Sequence, residues 1–275
     1  KNSILHILNS NFIFDKVKQE KMPLDLYGDH LSLHMTFISL PTNNLKNIRS
    51  LFDSSDLKID RVISKPLVCG VDLLSKNQDL KNFFIINFDK EVSSISLYED
   101  TSLVFLKTFP FGTNSIYRDI AQLCSLKENE IKEIIKRINL IEKTEVGVKY
   151  IDKKFFTDSK FKKLSINHLK DIINSRINEM VNYIFNQNKN LTYINGKIFH
   201  IYLFFEDNEI FQNLGHLFLK YLKTNPKKTH TELLHQNNFL ALSGAAELIF
   251  KGWHKEAIPL KDRKKSIISS FFERF

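Results

Sequence analysis

The sequence predicts an α/β protein in which mixed sheets are flanked by helices. An apolar run at 83–88 is followed by an alternating segment at 92–98, and after a turn the segment 102–109 has the same character. Three such consecutive segments are typical of an antiparallel meander. Helical periodicity then alternates with a further buried-type strand at 197–205, as in α/β layers.

The N-terminal region is predicted to be mostly extended. The segment 31–38 alternates apolar and polar residues with period two, and Thr42 or Asn43 is predicted to cap a helix that ends near 54–56. Strands are predicted at 4–8, 11–14, 31–38 and 59–63.

Further helices are predicted from start signals and from 3.6-residue periodicity. Ser125 and Glu128 have the spacing of a capping box, and Ser165 begins the longest helix. The small residues at 241–246 are predicted to let the last helix approach a sheet closely, and 142–163 is predicted to be a polar surface excursion. The remaining helices are predicted to begin at Pro66 and to cover 114–124, 210–222 and 239–250.

Composition excludes several classes of protein. The net charge of +9 would suit an anionic partner. However, the lysines are scattered, and the abundance of Lys, Asn, Ile and Phe is what AT-rich coding produces, so no nucleic-acid partner is expected.

The cysteines and histidines predict neither a disulfide nor a metal site. Cys69 and Cys124 lie in apolar surroundings and predict buried, reduced thiols. The nine histidines lack metal-ligand spacing, and His230 and His235 are assigned to a polar loop. No apolar run is long enough to span a membrane.

The turn of the central hairpin has the position of a phosphate-binding turn without its glycines. It contains Asp89, Lys90 and Glu91. A phosphate cradle needs backbone N–H groups that approach the anion closely, which glycine permits. The turn therefore predicts weak nucleotide affinity or none.

The order of these elements resembles the actin-like ATPase (ribonuclease H-like) fold, and several motifs resemble the FtsA family of bacterial cell-division proteins. The resemblance covers nearly the whole chain. The sequence segments that carry this resemblance are 4–8 together with 12–15, 27–35, 57–67, 95–98, 109–112 and 243–248.

The resemblance implies three regions: 1–63 as an FtsA-like inserted subdomain, 64–260 as an actin-like second lobe, and 261–275 as a membrane-targeting tail. It also implies an ATP site, but this chain departs from the family pattern there, so no cofactor is expected. The departures are Asn87, Asp89, Lys90 and Glu91 at the phosphate turn, and Phe204 and Phe205 on the adenosine side, where they are predicted to fill the space of a base or ribose.

The segment 262–275 predicts an amphipathic helix at a membrane surface. Its apolar residues cluster on one arc at 100° per residue, and cations flank that arc. The alternative, a terminal helix packed on its own core, is the usual fate of such a pattern. The predicted membrane-binding residues are Arg263, Lys265, Ile267, Ile268, Phe271, Phe272, Arg274 and Phe275.

The resemblance implies a non-enzymatic adaptor that tethers FtsZ filaments, through the FtsZ C-terminal tail, to an anionic membrane surface and self-associates. Its expected location is peripheral, on the cytoplasmic side of the inner membrane at the division site. A PilM-like scaffold of a pilus or secretion machine and a genuine actin-like ATPase are the alternatives. The chain begins with Lys1, and both an N-terminally incomplete fragment and a reduced paralogue fit the resemblance.

Overall fold

The computed structural model describes residues 1–19, 23, 25–137, 149–194, 199–222, 229–235, 238–253 and 255–256. They form eight strands and seven α-helices. The strands are β1 (Asn2–Phe14), β2 (Val17–Gln19), β3 (Leu31–Pro41), β4 (Phe83–Phe88), β5 (Ser93–Glu99), β6 (Ser102–Phe109), β7 (Phe199–Phe205) and β8 (Thr229–His235). The helices are α1 (Thr42–Asp53), α2 (Lys65–Lys76), α3 (Asn114–Cys124), α4 (Glu128–Arg137), α5 (Ile166–Val181), α6 (Asn208–Tyr221) and α7 (Asn238–Phe250).

The larger sheet has five strands in the order β6-β5-β4-β7-β8. β4 is antiparallel to β5 and parallel to β7, which is parallel to β8. All six residues of β4 are buried, because helices cover both faces of the sheet. The predicted meander and the buried strand before α6 are confirmed. The predicted mixed α/β architecture is confirmed with them.

Two apolar cores lie on opposite faces of this sheet. One contains Phe84, Ile86 and Phe88 of β4 with residues of α3, α4, α5 and α6. The other contains Phe83 and Ile85 with residues of α2 and α7. This division follows the period of two in β4, which sends successive side chains to opposite faces.

The smaller sheet has the order β2-β1-β3. The separate strands predicted at 4–8 and 11–14 are one strand, β1, which carries register irregularities between Ile4 and His6 and between Asn9 and Asn11. The polar residues Asn9, Ser10 and Asn11 interrupt the apolar sequence, which made one strand look like two, although the even-numbered residues from His6 to Phe12 are all buried. Leu8 of β1 and Ile38 of β3 join the α2–α7 core, so the two sheets share packing.

Several predicted elements differ in the structure. The segment 59–63 is not a strand, and the loop assigned to His230 and His235 is part of β8. The helix predicted to be capped by Thr42 or Asn43 has Pro41 at its N-cap, while the Thr42 hydroxyl lies 3.0 Å from the Ser3 hydroxyl. The excursion at 142–163 is polar only in part, since Ile151 is buried in the core. Residues 142–148 lie outside the described part of the chain, as does Ile138.

The small residues of α7 allow close packing against helix α2, rather than against a sheet as predicted. A Cβ added at Gly244 would lie 1.9 Å from the Val68 carbonyl oxygen of α2. Such a distance leaves no room for a methyl group, so glycine at this position sets how closely α7 approaches α2.

We expect Gly244→Ala and Gly215→Ala to change the free energy of unfolding in opposite directions. Gly244→Ala must separate α2 from α7, and overpacking of this kind costs about 1–3 kcal/mol. Gly215 of α6 has its nearest contact at 3.4 Å, with a Leu233 methyl group. At position 215, alanine should therefore raise the free energy of unfolding by up to about 1 kcal/mol, because its helix propensity is higher than that of glycine. Urea unfolding measures both, and equal shifts would contradict the close approach.

The predicted capping box of α4 is displaced by two residues. Ser125 instead ends α3 in the left-handed conformation, with φ of 52°. Glu130, not Glu128, reaches back and accepts a hydrogen bond from the Lys127 amide at 2.7 Å. Glu130 also accepts from the amides of Asp158 and Ser159, each at 2.9 Å, and from the Ser159 hydroxyl. This buried carboxylate therefore fixes the loop before α5 to the start of α4.

Stability should depend on the charge of Glu130. Burial alone would raise its pKa, but the hydrogen bonds from the Ser159 hydroxyl and the three amides outweigh burial and lower the pKa to about 2. A lowered folded-state pKa contributes stability above the unfolded value of about 4.3, and this contribution is lost as the pH falls through about 2. We expect Glu130→Gln to lower the free energy of unfolding by about 1–3 kcal/mol at pH 7, and by progressively less below about pH 4.

Urea unfolding at several pH values measures this difference. Glu133→Gln is the matched control, because Glu133 is exposed and forms an (i, i+4) ion pair with Arg137 on the surface of α4. That variant should change stability by less than about 0.5 kcal/mol at any pH. A Glu130→Gln difference that does not vary with pH would refute the charge-dependent clamp.

Candidate functional site

The turn between β4 and β5 lies against the N-terminus of α3. The Asp89 and Lys90 carbonyls accept hydrogen bonds from the amides of Thr113 and Asn114, both at 2.9 Å. A Cβ at Gly112 would lie 2.2 Å from the Asp89 carbonyl oxygen, so glycine is needed for this approach. The first amides of a helix are ordinarily available to an anion. Here the turn itself occupies two of the amides at this helix start.

The charged side chains of the turn are paired with neighbouring elements. Asp89 accepts from the Lys65 ammonium at the start of α2, at 3.0 Å. Glu91 accepts from the Asn114 side chain at 2.7 Å and lies 3.3 Å from Arg118 of α3. The turn is thereby linked to α2 and to α3 through opposite charges.

The amide of Lys90 is also occupied. It donates to the Glu206 carboxylate, at 3.2 Å, across 116 residues of sequence. Glu206 follows β7 directly, and its own amide donates to the Phe88 carbonyl at 3.2 Å. The loop after β7 is therefore joined to the turn after β4 at the same end of the sheet.

Asn87 stands where the family pattern has an acid. Its side-chain amide donates to the Ser94 hydroxyl at 3.2 Å, across the β4–β5 pair. Its side-chain oxygen is buried without a hydrogen-bond partner. The side chain of Asn87 is 1% exposed, so this residue belongs to the sheet interior rather than to an open cleft.

Phe204 and Phe205 pair with Asn87 and Phe88 in the parallel β4–β7 register. The structure therefore brings the two predicted site segments together. Both phenylalanines are fully buried, Phe204 in the α2–α7 core and Phe205 in the opposite core, where its ring stacks on Phe88 with centroids 5.1 Å apart. Their side chains consolidate the sheet, and the prediction that they occupy a base or ribose space stays a prediction.

Sequence reasoning missed the residues that face the turn from elsewhere in the chain, namely Lys65, Gly112, Arg118 and Glu206. It also missed Asp207, which caps α6 by accepting from the Ile210 amide at 3.0 Å and accepts from the Tyr117 hydroxyl at 3.2 Å. Burial and the neighbouring Asp207 raise the pKa of the Tyr117 phenol well above its usual value. The parallel pairing of β4 with β7 is the signal that would have placed Glu206 and Asp207 beside the turn.

The chemistry of this arrangement is that of a closed, ion-paired junction. The carboxylates of Asp89, Glu91 and Glu206 surround the turn, and the amides of Asp89, Lys90, Thr113 and Asn114 are hydrogen-bonded within the protein. Within the described ranges, no three His, Cys, Asp or Glu side chains come together as a metal site requires. That the turn binds nucleotide weakly or not at all stays a prediction.

The predicted membrane-binding residues of the tail lie outside the described residues. None of the helices that the structure describes has both the length and the apolar composition needed to cross a bilayer.

Comparison with solved structures identifies the fold. A chain of the PilM-PilN type IV pilus biogenesis complex aligns with a TM-score of 0.53 at 11% identity, covering 92% of this chain and 65% of that chain. MreB5 of Spiroplasma citri bound to ADP aligns with a TM-score of 0.51 at 13% identity, covering 76% of this chain and 65% of that one. The protein has the actin-like ATPase fold. This confirms the predicted fold class.

Sequence comparison adds a distant likeness to FtsA, although no family model matches the chain. The cell division protein FtsA of Borreliella burgdorferi is 27% identical over 131 residues, which are 48% of this chain and 32% of that protein. FtsA of Agrobacterium fabrum is 20% identical over 132 residues, 48% of this chain and 30% of that protein. The match thus spans about a third of the length of these curated relatives. The chain therefore combines the actin-like fold with a distant sequence likeness to FtsA over about half of its length.

We expect the wild-type protein to show no rise in its unfolding temperature with about 5 mM Mg-ATP, because only a ligand that binds the folded state with useful affinity stabilises it. ATP would have to displace Glu206 from the Lys90 amide and bring its phosphates near three carboxylates. Differential scanning fluorimetry measures the shift, with Lys90→Glu as the companion variant. Micromolar ATP affinity that Lys90→Glu abolishes would refute this prediction.

Proposed function

We propose that this protein is a membrane-attached, non-enzymatic adaptor of bacterial cell division. In this proposal it tethers FtsZ filaments, through the FtsZ C-terminal tail, to the cytoplasmic face of the inner membrane at the division site. The observation that carries the proposal is the similarity of about half the chain to proteins named cell division protein FtsA. The actin-like fold agrees with a role in an assembly, since a chain of the PilM-PilN type IV pilus biogenesis complex shares it.

The non-enzymatic part of the proposal rests on the β4–β5 turn. Phosphoryl chemistry requires donors or cations placed around the transferring phosphate. At this turn the Lys90 amide is bound by Glu206, and the Lys65 ammonium is bound by Asp89. These groups stabilise the protein's own loops instead of a ligand.

Membrane attachment is proposed through the tail, residues 261–275. Five large apolar side chains lie on its predicted arc, and burying each one contributes roughly 1.5–3 kcal/mol before ordering costs. Each nearby cation adds about 1 kcal/mol at an anionic leaflet. A single tail would therefore bind reversibly, and self-association of several copies would strengthen attachment through avidity.

Two alternatives have specific support. The alignment with a chain of the PilM-PilN complex covers nearly the whole of this chain and favours a PilM-like scaffold of a pilus or secretion machine. MreB5 binds ADP on the same fold, which favours an actin-like ATPase. Neither alternative accounts for the sequence similarity to FtsA.

The tethering proposal predicts that the protein recruits a labelled FtsZ C-terminal tail peptide to vesicles. Co-sedimentation with vesicles containing about a third anionic lipid should pellet both protein and peptide, and removal of residues 262–275 should abolish pelleting of both. Raising the salt concentration should weaken binding, because exposed charges are screened.

The controls separate the parts of the proposal. Phe271→Asp removes one member of the predicted arc and should reduce pelleting, whereas Glu273→Gln on the polar side of the predicted helix should not. Equal pelleting with and without residues 262–275 would exclude the tail as the anchor. Protein that pellets without the FtsZ peptide would instead support a PilM-like scaffold, and ATP turnover would support the ATPase.

A further inference from the structure

One face of β3 presents an unbroken row of apolar side chains to solvent. Leu31, Leu33, Met35 and Phe37 alternate along the strand, and they are 45%, 38%, 46% and 53% exposed. The opposite face of β3 is different, because Ile38 is buried against Leu8 in the α2–α7 core. We call these four residues the β3 stripe.

The β3 stripe is too continuous to be ordinary surface. Single exposed apolar residues are normal, whereas contiguous exposed apolar patches mark interaction sites. Four alternating residues extend for about 20 Å along a strand. The strand also lies at the edge of its sheet, in the order β2-β1-β3. Edge strands of soluble proteins are commonly protected by a covering segment.

The chain itself provides a segment that begins beside this sheet. Glu256 forms an antiparallel bridge with Leu8 of β1, and the Asn9 amide donates to the Lys255 carbonyl at 2.6 Å. The Glu256 carboxylate forms an ion pair with Arg61 and lies 3.4 Å from Nδ1 of His6. The residues after Glu256 therefore start about 10 Å from β3, which is two strand spacings away.

We propose that the tail docks on the β3 stripe of its own chain, with the arc of Ile267, Ile268, Phe271, Phe272 and Phe275 against the stripe. Residues 257–266 span up to about 33 Å when extended, which exceeds the length of the stripe. Asp15 and Asp29 are exposed at the Leu31 end of β3, where the Asp29 amide donates to the Asp15 carboxylate at 3.1 Å. Their charge suits the cations at 261–265.

Docking would give the tail two exclusive positions. When the tail lies on the β3 stripe, the apolar arc of the tail is shielded from water. When the tail lies at a lipid surface, the β3 stripe is exposed to solvent. The proposal goes beyond membrane attachment, and it holds for a chain in solution whether or not the tail binds lipid. Its test therefore uses no lipid, so the two proposals fail independently.

Cysteine cross-linking tests the docking in the full chain. The native thiols of Cys69 and Cys124 are buried, at 1% and 4% exposure, so introduced cysteines react first. The probe pair is Leu33→Cys on the stripe, about 7 Å from the Leu31 end, with Ser270→Cys in the tail, about 7 Å along a helix from Lys265. A bismaleimide of about 10 Å joins them, because it bridges one sheet-to-helix packing distance. We expect an intramolecular product at dilute protein concentration. The matched control pair is Leu123→Cys with Ser270→Cys, because Leu123 is 63% exposed on α3.

The two pairs give distinguishable results. A monomeric product from the Leu33 pair at a yield at least about five-fold above the Leu123 pair supports docking, as expected for a segment that is docked most of the time. Equal yields from both pairs would overturn the proposal, because a freely moving tail samples both positions. Products that are only dimeric would also overturn it, and would assign the β3 stripe to contact between copies.

Limited chymotrypsin digestion provides an independent measurement without cross-linking. Cleavage after Phe271 or Phe272 requires the tail to leave the stripe, because both residues belong to the docked arc. Met35→Glu with Phe37→Glu should accelerate this cleavage about five-fold or more, since proteolysis follows the population of the open form. Leu123→Glu should leave the rate unchanged. Equal cleavage rates in wild type and the Met35/Phe37 variant, with both chains folded by circular dichroism, would overturn the docking.

Discussion

The burial of β4 on both faces is the constraint on which the rest of the structure depends. Its six residues pair with β5 on one side and with β7 on the other, and they contribute to both cores. A strand in this position must be apolar almost throughout, as parallel sheets covered by helices require. Asn87 is the one polar residue in β4, and its side chain satisfies part of its hydrogen-bonding capacity through Ser94. The position of β4 also fixes where its turn, and therefore the candidate site, emerges from the sheet.

The same reasoning explains which parts of the fold the sequence predicts. The strands β4, β5 and β6 were predicted correctly because they have strong periodic signals and short connections. The start of α5 was also predicted correctly, because Ser165 is a true N-cap. Its hydroxyl accepts a hydrogen bond from the Asn167 amide at 3.2 Å. β8 was missed because its sequence, with two histidines and two threonines, lacks an apolar run. It becomes a strand by pairing with β7 and by packing Leu233 and Leu234 against the two cores. Tertiary pairing of that kind is not encoded in local periodicity.

Only those residues of the candidate site that are adjacent in sequence could be predicted. The turn residues are adjacent in sequence, so the loss of the glycines was visible. Lys65, Thr113 and Glu206 bind the turn from positions 24 to 116 residues away in the sequence, and no spacing rule links them. The capping of α4 shows the same limit at short range. Two glutamates, Glu128 and Glu130, are both candidates, and only the amides of Asp158 and Ser159 decide in favour of Glu130.

The paired turn also shows how the loops of this actin-like fold are joined by groups of the protein itself. A bound nucleotide would link the loops that follow adjacent strands, and here those loops are linked by protein groups: Lys90 to Glu206, Asp89 to Lys65, and the start of α3 to two turn carbonyls. Opening these contacts for a polyanion would leave Glu206 without its amide donor and place phosphate charges near three carboxylates. Each such repulsion amounts to about 1–4 kcal/mol at contact distance near a protein surface. The stability of the paired turn and the predicted weakness of nucleotide binding therefore have the same origin, because the groups that hold the loops together are those that a nucleotide would need.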